Sequence, residues 1–215
     1  MPPNALFSSR ARLRVALCCV ALSALPACSL FTPRNVPVQY FVLTASPSGA
    51  GGASSSLRSG LAVGLGPVTL PGYLDRREIV TRVAPNELRL AQNEQWGEPL
   101  AENVRAVLAQ DLSARLGGAA VATFPWLGSF RPDYRVRVDL TRFEPTDAGT
   151  VELVARWQVL AGDDVVAARD AWITRPISGG GTAAAVTALG EALGDLATEI
   201  ASAIPTTPRR GGRGR

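Results

Sequence analysis

Apolar residues recur along this chain with two different periods. Tyr134, Val136, Val138 and Leu140 alternate with Arg135, Arg137, Asp139 and Thr141, the two-residue period of a strand with one buried face. Val151–Leu160 and Val165–Thr174 read as two further strands joined through the turn Gly162-Asp163-Asp164. Three sequential strands with short connections predict an antiparallel meander. Upstream, Val38–Thr44 is a branched and aromatic β-type run, and Leu61–Val68 is a second. Gly64, Gly66 and Pro67 predict a bulge or an edge position in that second run. Pro71-Gly72 marks a turn, and Ile79–Val83 with Glu87–Ala91 predicts a hairpin about Ala84-Pro85-Asn86. Val121–Trp126 reads as one more strand.

The other period is helical. Leu100, Val104, Val107, Leu108, Leu112 and Leu116 recur at three- and four-residue spacing behind Trp96-Gly97-Glu98-Pro99, and Gly117-Gly118 stops the run. Val186, Leu189, Leu193, Leu196, Ile200 and Ile204 mark a second amphipathic helix, ended by Pro205, whose Ala and Gly content permits close approach to a neighbour. Together these elements predict a single domain over residues 38–204. Its class is α/β of the α+β type: a mixed, largely antiparallel sheet packed by two amphipathic helices.

Residues 1–27 have a different pattern. Arg10, Arg12 and Arg14 precede the apolar run Val15–Leu25, the layout of an export signal. A run of eleven residues is too short for a permanent span of about 30 Å of hydrocarbon, which takes roughly 20. The run ends in Leu25-Pro26-Ala27-Cys28, which resembles the lipobox of bacterial lipoproteins, with Pro26 departing from the usual small residue. The resemblance implies cleavage between Ala27 and Cys28 and acylation of the Cys28 sulfur. The alternative is an ordinary secretory signal with an incidental cysteine. Several acyl chains anchor a protein lastingly where one does not. Ser29 after the cysteine favours sorting to the outer membrane, and residues 28–37 form a short linker that reaches about 30 Å when extended.

Composition narrows the chemistry. All 22 basic residues are arginine, histidine is absent and the three cysteines are Cys18, Cys19 and Cys28. The body therefore has no Schiff-base or P-loop lysine, no imidazole base, no internal disulfide and no thiolate metal site. No cofactor is expected. Three arginines leave with the signal and four more lie in the Arg-rich tail 205–215, which is expected to be disordered. In the remaining body the 18 acidic residues outnumber the arginines by three. A mildly acidic exported domain is a poor match for nucleic acid. The best remaining catalytic device is a carboxylate pair, but no spacing separates Asp75, Glu78, Glu94 and Glu98 from solvated surface charge.

The segments Gly66-Pro67-Val68, Pro71-Gly72-Tyr73-Leu74-Asp75-Arg76, Ile79-Val80-Thr81-Arg82, Pro85-Asn86-Glu87-Leu88 and Trp96-Gly97-Glu98-Pro99-Leu100, with Tyr40-Phe41-Val42-Leu43 behind the lipobox, are the most specific feature of the chain. In that order, across residues 36–204, they resemble the ABC-type transport auxiliary lipoprotein family, the PqiC-like lipoproteins of MCE-type intermembrane lipid transport systems. The resemblance implies a periplasmic, lipid-anchored, non-enzymatic domain, in the outer membrane, that partners an MCE-domain protein and its membrane transport complex. Tethering beside a membrane also favours a homo-oligomer by raising local concentration. The alternatives are a structural lipoprotein of another envelope assembly and a cell-wall hydrolase.

Two segments are candidate partner interfaces. Tyr73, Leu74, Asp75 and Arg76 come after a Pro-Gly turn with a composition suited to an interface, or else to a structural turn. Trp126 and Leu127 belong to an apolar loop that contacts a partner or packs inside. Trp96 reads as a candidate lid at the helix start.

Overall fold

The computed structural model describes residues 36–46 and 60–205. The signal, Ala27, Cys28, most of the linker, most of the Gly/Ser-rich stretch Ser46–Gly60 and nearly all of the Arg-rich tail lie outside the described residues.

The described residues from Val38 onward form one compact unit. Its strands are β1 (Gln39–Phe41), β2 (Ala62–Thr69), β3 (Glu78–Ala84), β4 (Glu87–Trp96), β5 (Ala120–Thr123), β6 (Tyr134–Pro145), β7 (Thr150–Ala161) and β8 (Asp164–Pro176). Helix α1 spans Leu100–Arg115, and α2 spans Gly181–Ala203. The fold is the mixed α/β class expected, with the β6-β7-β8 meander antiparallel throughout. The strands divide between two sheets, however, ordered β1-β4-β3 and β5-β2-β6-β7-β8. Three pairings, β1·β4, β2·β5 and β2·β6, are parallel. Parallel pairing joins segments far apart in sequence, so local pattern carries no trace of it.

Both helices lie on one face of the five-stranded sheet, α1 against β2 and β5 and α2 against β6, β7 and β8. The apolar positions predicted for α1 and α2 are all buried, as are Tyr134, Val136, Val138 and Leu140. Gly118 N–H reaches the Ser113 carbonyl at 2.9 Å as α1 ends, with Gly117 and Gly118 both at positive φ, a stop that glycine makes at no steric cost. Arg175 on β8 holds Asp195 on α2 through two bonds of 2.5 and 2.6 Å.

Two elements are shorter than their apolar runs. Val38–Thr44 yields a strand of only three residues because two side chains of α1 take over the backbone beyond it. Leu43 N–H donates to Asn103 Oδ1 at 2.6 Å and Ser46 N–H to Asp111 Oδ1 at 3.2 Å. Leu43–Ser46 thus forms a strap across the helices. On α2 it passes over Gly190 and Gly194, where an added Cβ would lie 2.8 Å from the Thr44 carbonyl oxygen and 2.8 Å from Ser46 Cβ. Asp111 is buried, and burial pushes its carboxyl above the usual value against the opposing pull of Arg115 and the Ser46 N–H. The run Val121–Trp126 also stops early, at Thr123: Pro125 offers no N–H to a ladder, and Trp126 turns back so that its indole Nε1 donates to the Ala122 carbonyl at 3.2 Å.

The strap makes a sharp prediction. Alanine inside a helix usually stabilises it relative to glycine by about 1 kcal/mol. Gly190→Ala is expected to do the opposite, lowering unfolding free energy by about 1–3 kcal/mol in urea titration, because backbone cannot yield to the new methyl as a side chain would.

Candidate functional site

After β2 the chain turns at Pro71 into a single 3₁₀ turn, Gly72–Leu74, closed by Leu74 N–H to Pro71 O at 2.9 Å and Asp75 N–H to Gly72 O at 3.2 Å. Leu74 is 3% exposed and belongs to the core. Tyr73 is half-buried, and its hydroxyl donates to Glu144 Oε2 at 2.7 Å. With these two side chains pinned inward, Asp75 and Arg76 are held out in solvent.

Glu144 is fully buried. It also accepts from Arg82 Nε on β3 at 2.7 Å and from the Phe143 N–H at 2.8 Å. A β-bulge at Thr141 explains its position. Leu140 pairs with Ala155 and Arg142 with Val154, so one residue is skipped and side-chain parity reverses. Phe143 thereby takes the buried helix side, and Glu144 emerges on the other, beneath Tyr73 and Arg82. Burial, then the bond to Glu144, pushes the Tyr73 hydroxyl up to about 12. Arg82 also stands over the Tyr73 ring, 5.7 Å from its centroid, and bonds the Pro85 carbonyl at 3.0 Å.

This brace sets the wall of a groove of about 330 Å³ lined by Tyr40, Asp75, Arg76, Arg77 and Trp96–Leu100. Three separated segments meet there. Trp96 N–H donates to the Arg77 carbonyl at 2.7 Å, and Gly97 N–H to the Phe41 carbonyl at 2.8 Å. At Gly97 an added Cβ would stand 3.1 Å from Val42 Cγ1, so the close approach of β1 suits glycine. Trp96 is 6% exposed, closing the core at the helix start, whereas Tyr40 is 65% exposed. The groove offers two carboxylates and two guanidinium groups around an aromatic edge, a composition for recognition.

Of the six predicted interface residues, only Asp75 and Arg76 line this groove. Trp126 lines a different concavity, on the face of the five-stranded sheet opposite the helices, and Leu127 beside it is 84% exposed. Sequence reasoning missed Glu144, Asn103 and Asp111. The available signals were the end of alternation after Thr141 and two polar residues, eight apart, within the apolar stripe of α1. Among the described residues no cluster of His, Cys, Asp or Glu is suited to hold a metal ion, and no helix is long and apolar enough to cross a membrane.

Fold and groove define a mixed α/β domain with a charged groove beside the start of α1. The chain belongs to the ABC-type transport auxiliary lipoprotein component family, whose model matches residues 41–201. The intermembrane transport lipoproteins PqiC of Escherichia coli (strain K12) and Shigella flexneri are each 33% identical to it over 90 residues, 42% of this chain. The match spans about half the length of these relatives, 46%. Among solved structures, a crystal structure of an uncharacterized protein superposes with a TM-score of 0.66 at 22% identity, covering 79% of this chain and 100% of its own. A Xanthomonas campestris protein superposes with a TM-score of 0.56 at 25% identity, covering 77% and 93%.

The brace carries two expectations. Glu144→Gln breaks a buried ion pair and leaves Arg82 uncompensated, which should cost about 3–5 kcal/mol in chemical denaturation. Because folding raises the Tyr73 pKa, its contribution to stability is present below pH 10 and is lost as pH rises toward 12. Denaturation midpoints should fall across that window in the parent protein, and less steeply in Tyr73→Phe.

Proposed function

We propose that this protein is a lipid-anchored, periplasm-facing accessory lipoprotein of an MCE-type intermembrane lipid transport system. It is acylated at Cys28 after cleavage behind Ala27, held at the outer membrane, and docks the end of the transport conduit there. The observation that carries the reading is the convergence of Tyr40, Asp75, Arg76 and Trp96–Leu100 on one groove, since these positions come from the segments that carry the family resemblance. The family match supports the transport role, and the curated relatives are intermembrane transport lipoproteins.

Docking without catalysis fits the physical problem. A lipid crossing water exposes apolar surface at about 0.8 kcal/mol per CH₂, so a conduit must stay sealed at its end. A domain fixed to the receiving membrane supplies that fixed end. Anchoring also lets weak contacts hold the assembly, because both partners are confined to a small volume.

A photo-crosslinking residue at position 76 in cells should capture an MCE-domain protein, while the same residue at position 89, exposed on β4 outside the groove, should not. Capture of other proteins only, from both positions, would overturn the docking reading. Cys28→Ala should abolish metabolic acyl labelling and move the protein out of the washed membrane fraction. Retention of both would refute the anchor.

A further inference from the structure

The face of the five-stranded sheet opposite the helices carries a concavity of about 530 Å³, a volume within the range of small-molecule sites. Glycine and tryptophan shape it. At Gly64 an added Cβ would lie 2.6 Å from the Trp126 ring, so the indole occupies the space that a side chain on β2 would take. Phe124 meets Trp126 edge-on at 5.6 Å between centroids and 89° between planes. Pro67 and Gly66 continue this apolar side. Phe124 is 45% exposed, and Leu127 extends an apolar rim into solvent.

The other side is cationic. Arg135 and Arg137 on β6 and Arg156 on β7 line the cavity with Gln158, and the one carboxylate lining it, Asp139, is hydrogen-bonded by Thr69. Arg135 leans on Asp163 and the Gly162 carbonyl, and Arg156 on Asp170, none of which lines the cavity. Asp163 is fully solvent-exposed and the Arg156–Asp170 pair is mostly so. Exposed pairs of this kind hold their partners weakly and yield to a better acceptor. The Arg137 side chain makes no hydrogen bond or ion pair among the described residues, and its stem packs near Gly66. An apolar bracket thus shares one cavity with three arginines, of which Arg137 has an unengaged guanidinium.

We infer that this cavity binds a single anionic amphiphile, its phosphate head on Arg137, Arg135 and Arg156 and its apolar tail along Phe124, Trp126 and Leu127. Guanidinium groups suit phosphate because their planar donors engage its oxygens in pairs. The tail would cover the exposed Phe124 and Leu127, which otherwise remain in water. The site is separate from the groove of Asp75 and Arg76, so it stands or falls independently of the docking reading.

The test titrates the purified full chain with a lysophosphatidylglycerol bearing a fluorescent acyl chain, held below its micelle concentration. Saturable binding of one molecule per chain is expected. Arg137→Gln should weaken it about tenfold. Gln158→Glu, which keeps the cavity's shape but adds a carboxylate, should weaken it to a similar degree, whereas Arg89→Gln, outside the cavity, should not. The zwitterionic lysophosphatidylcholine analogue should bind more weakly than the anionic probe. Equal binding in the parent, Arg137→Gln and Gln158→Glu proteins would overturn the inference. Full displacement by millimolar inorganic phosphate would also overturn it, reassigning the cavity to free phosphate, and so would binding only to phosphatidylglycerol vesicles, which would make the face a membrane-contact surface.

Discussion

The arrangement of this domain rests on one buried carboxylate. Glu144 has no access to water, and an isolated charge in that position would cost several kcal/mol. It is tolerated because Tyr73, Arg82 and the Phe143 N–H all donate to it, so its two oxygens have three donors from three parts of the chain. Those donors come from the 3₁₀ turn, from β3 in the smaller sheet and from β6 itself. The same junction carries a backbone bond, Asp147 N–H to the Arg82 carbonyl at 3.0 Å. Removing any donor leaves the carboxylate short of a partner, which makes the brace cooperative. Its consequence for recognition is direct: the turn that it pins is the turn that presents Asp75 and Arg76.

A second constraint governs how the chain enters the domain. β1 is brief, and the strap after it is secured by side chains in place of a sheet. Asn103 and Asp111 on α1 receive its backbone, while Gly190 and Gly194 on α2 leave the space for it. Asp111 is in turn held by Arg115 at 2.8 Å, and Arg115 Nε reaches Thr198 on α2 at 2.6 Å. Strap, α1 and α2 therefore form one bonded set.

The two faces of the five-stranded sheet have different duties for a physical reason. Helices cover the face that bears Val136, Val138 and Leu140, and that burial provides the core. The opposite face is left to arginines, Asp139 and Gln158, with Trp126 folded over Gly64 on β2, Phe124 against it, and Trp172 standing 72% exposed on β8. A face that contributes little to the core is free to vary in chemistry without loss of fold, which is where ligand sites are expected.

Periodicity alone was enough for the helices, for the β6-β7-β8 meander and for the core positions within them, because each depends on neighbours three, four or two residues away along the chain. The ordered motifs likewise identified the family, and the turn bearing Asp75 and Arg76 was legible as a candidate surface. Three things were decided only in space. The split into two sheets and the parallel pairings join strands separated by many residues. The inward turn of Leu74 and Tyr73 depends on a carboxylate 71 positions beyond Tyr73, whose own direction is set by a bulge at Thr141. The separation of Trp126 and Leu127 from the groove comes from a loop folding back onto Gly64. In each case the governing contact is long-range, and local pattern records only the residues, not the partner that gives them their role.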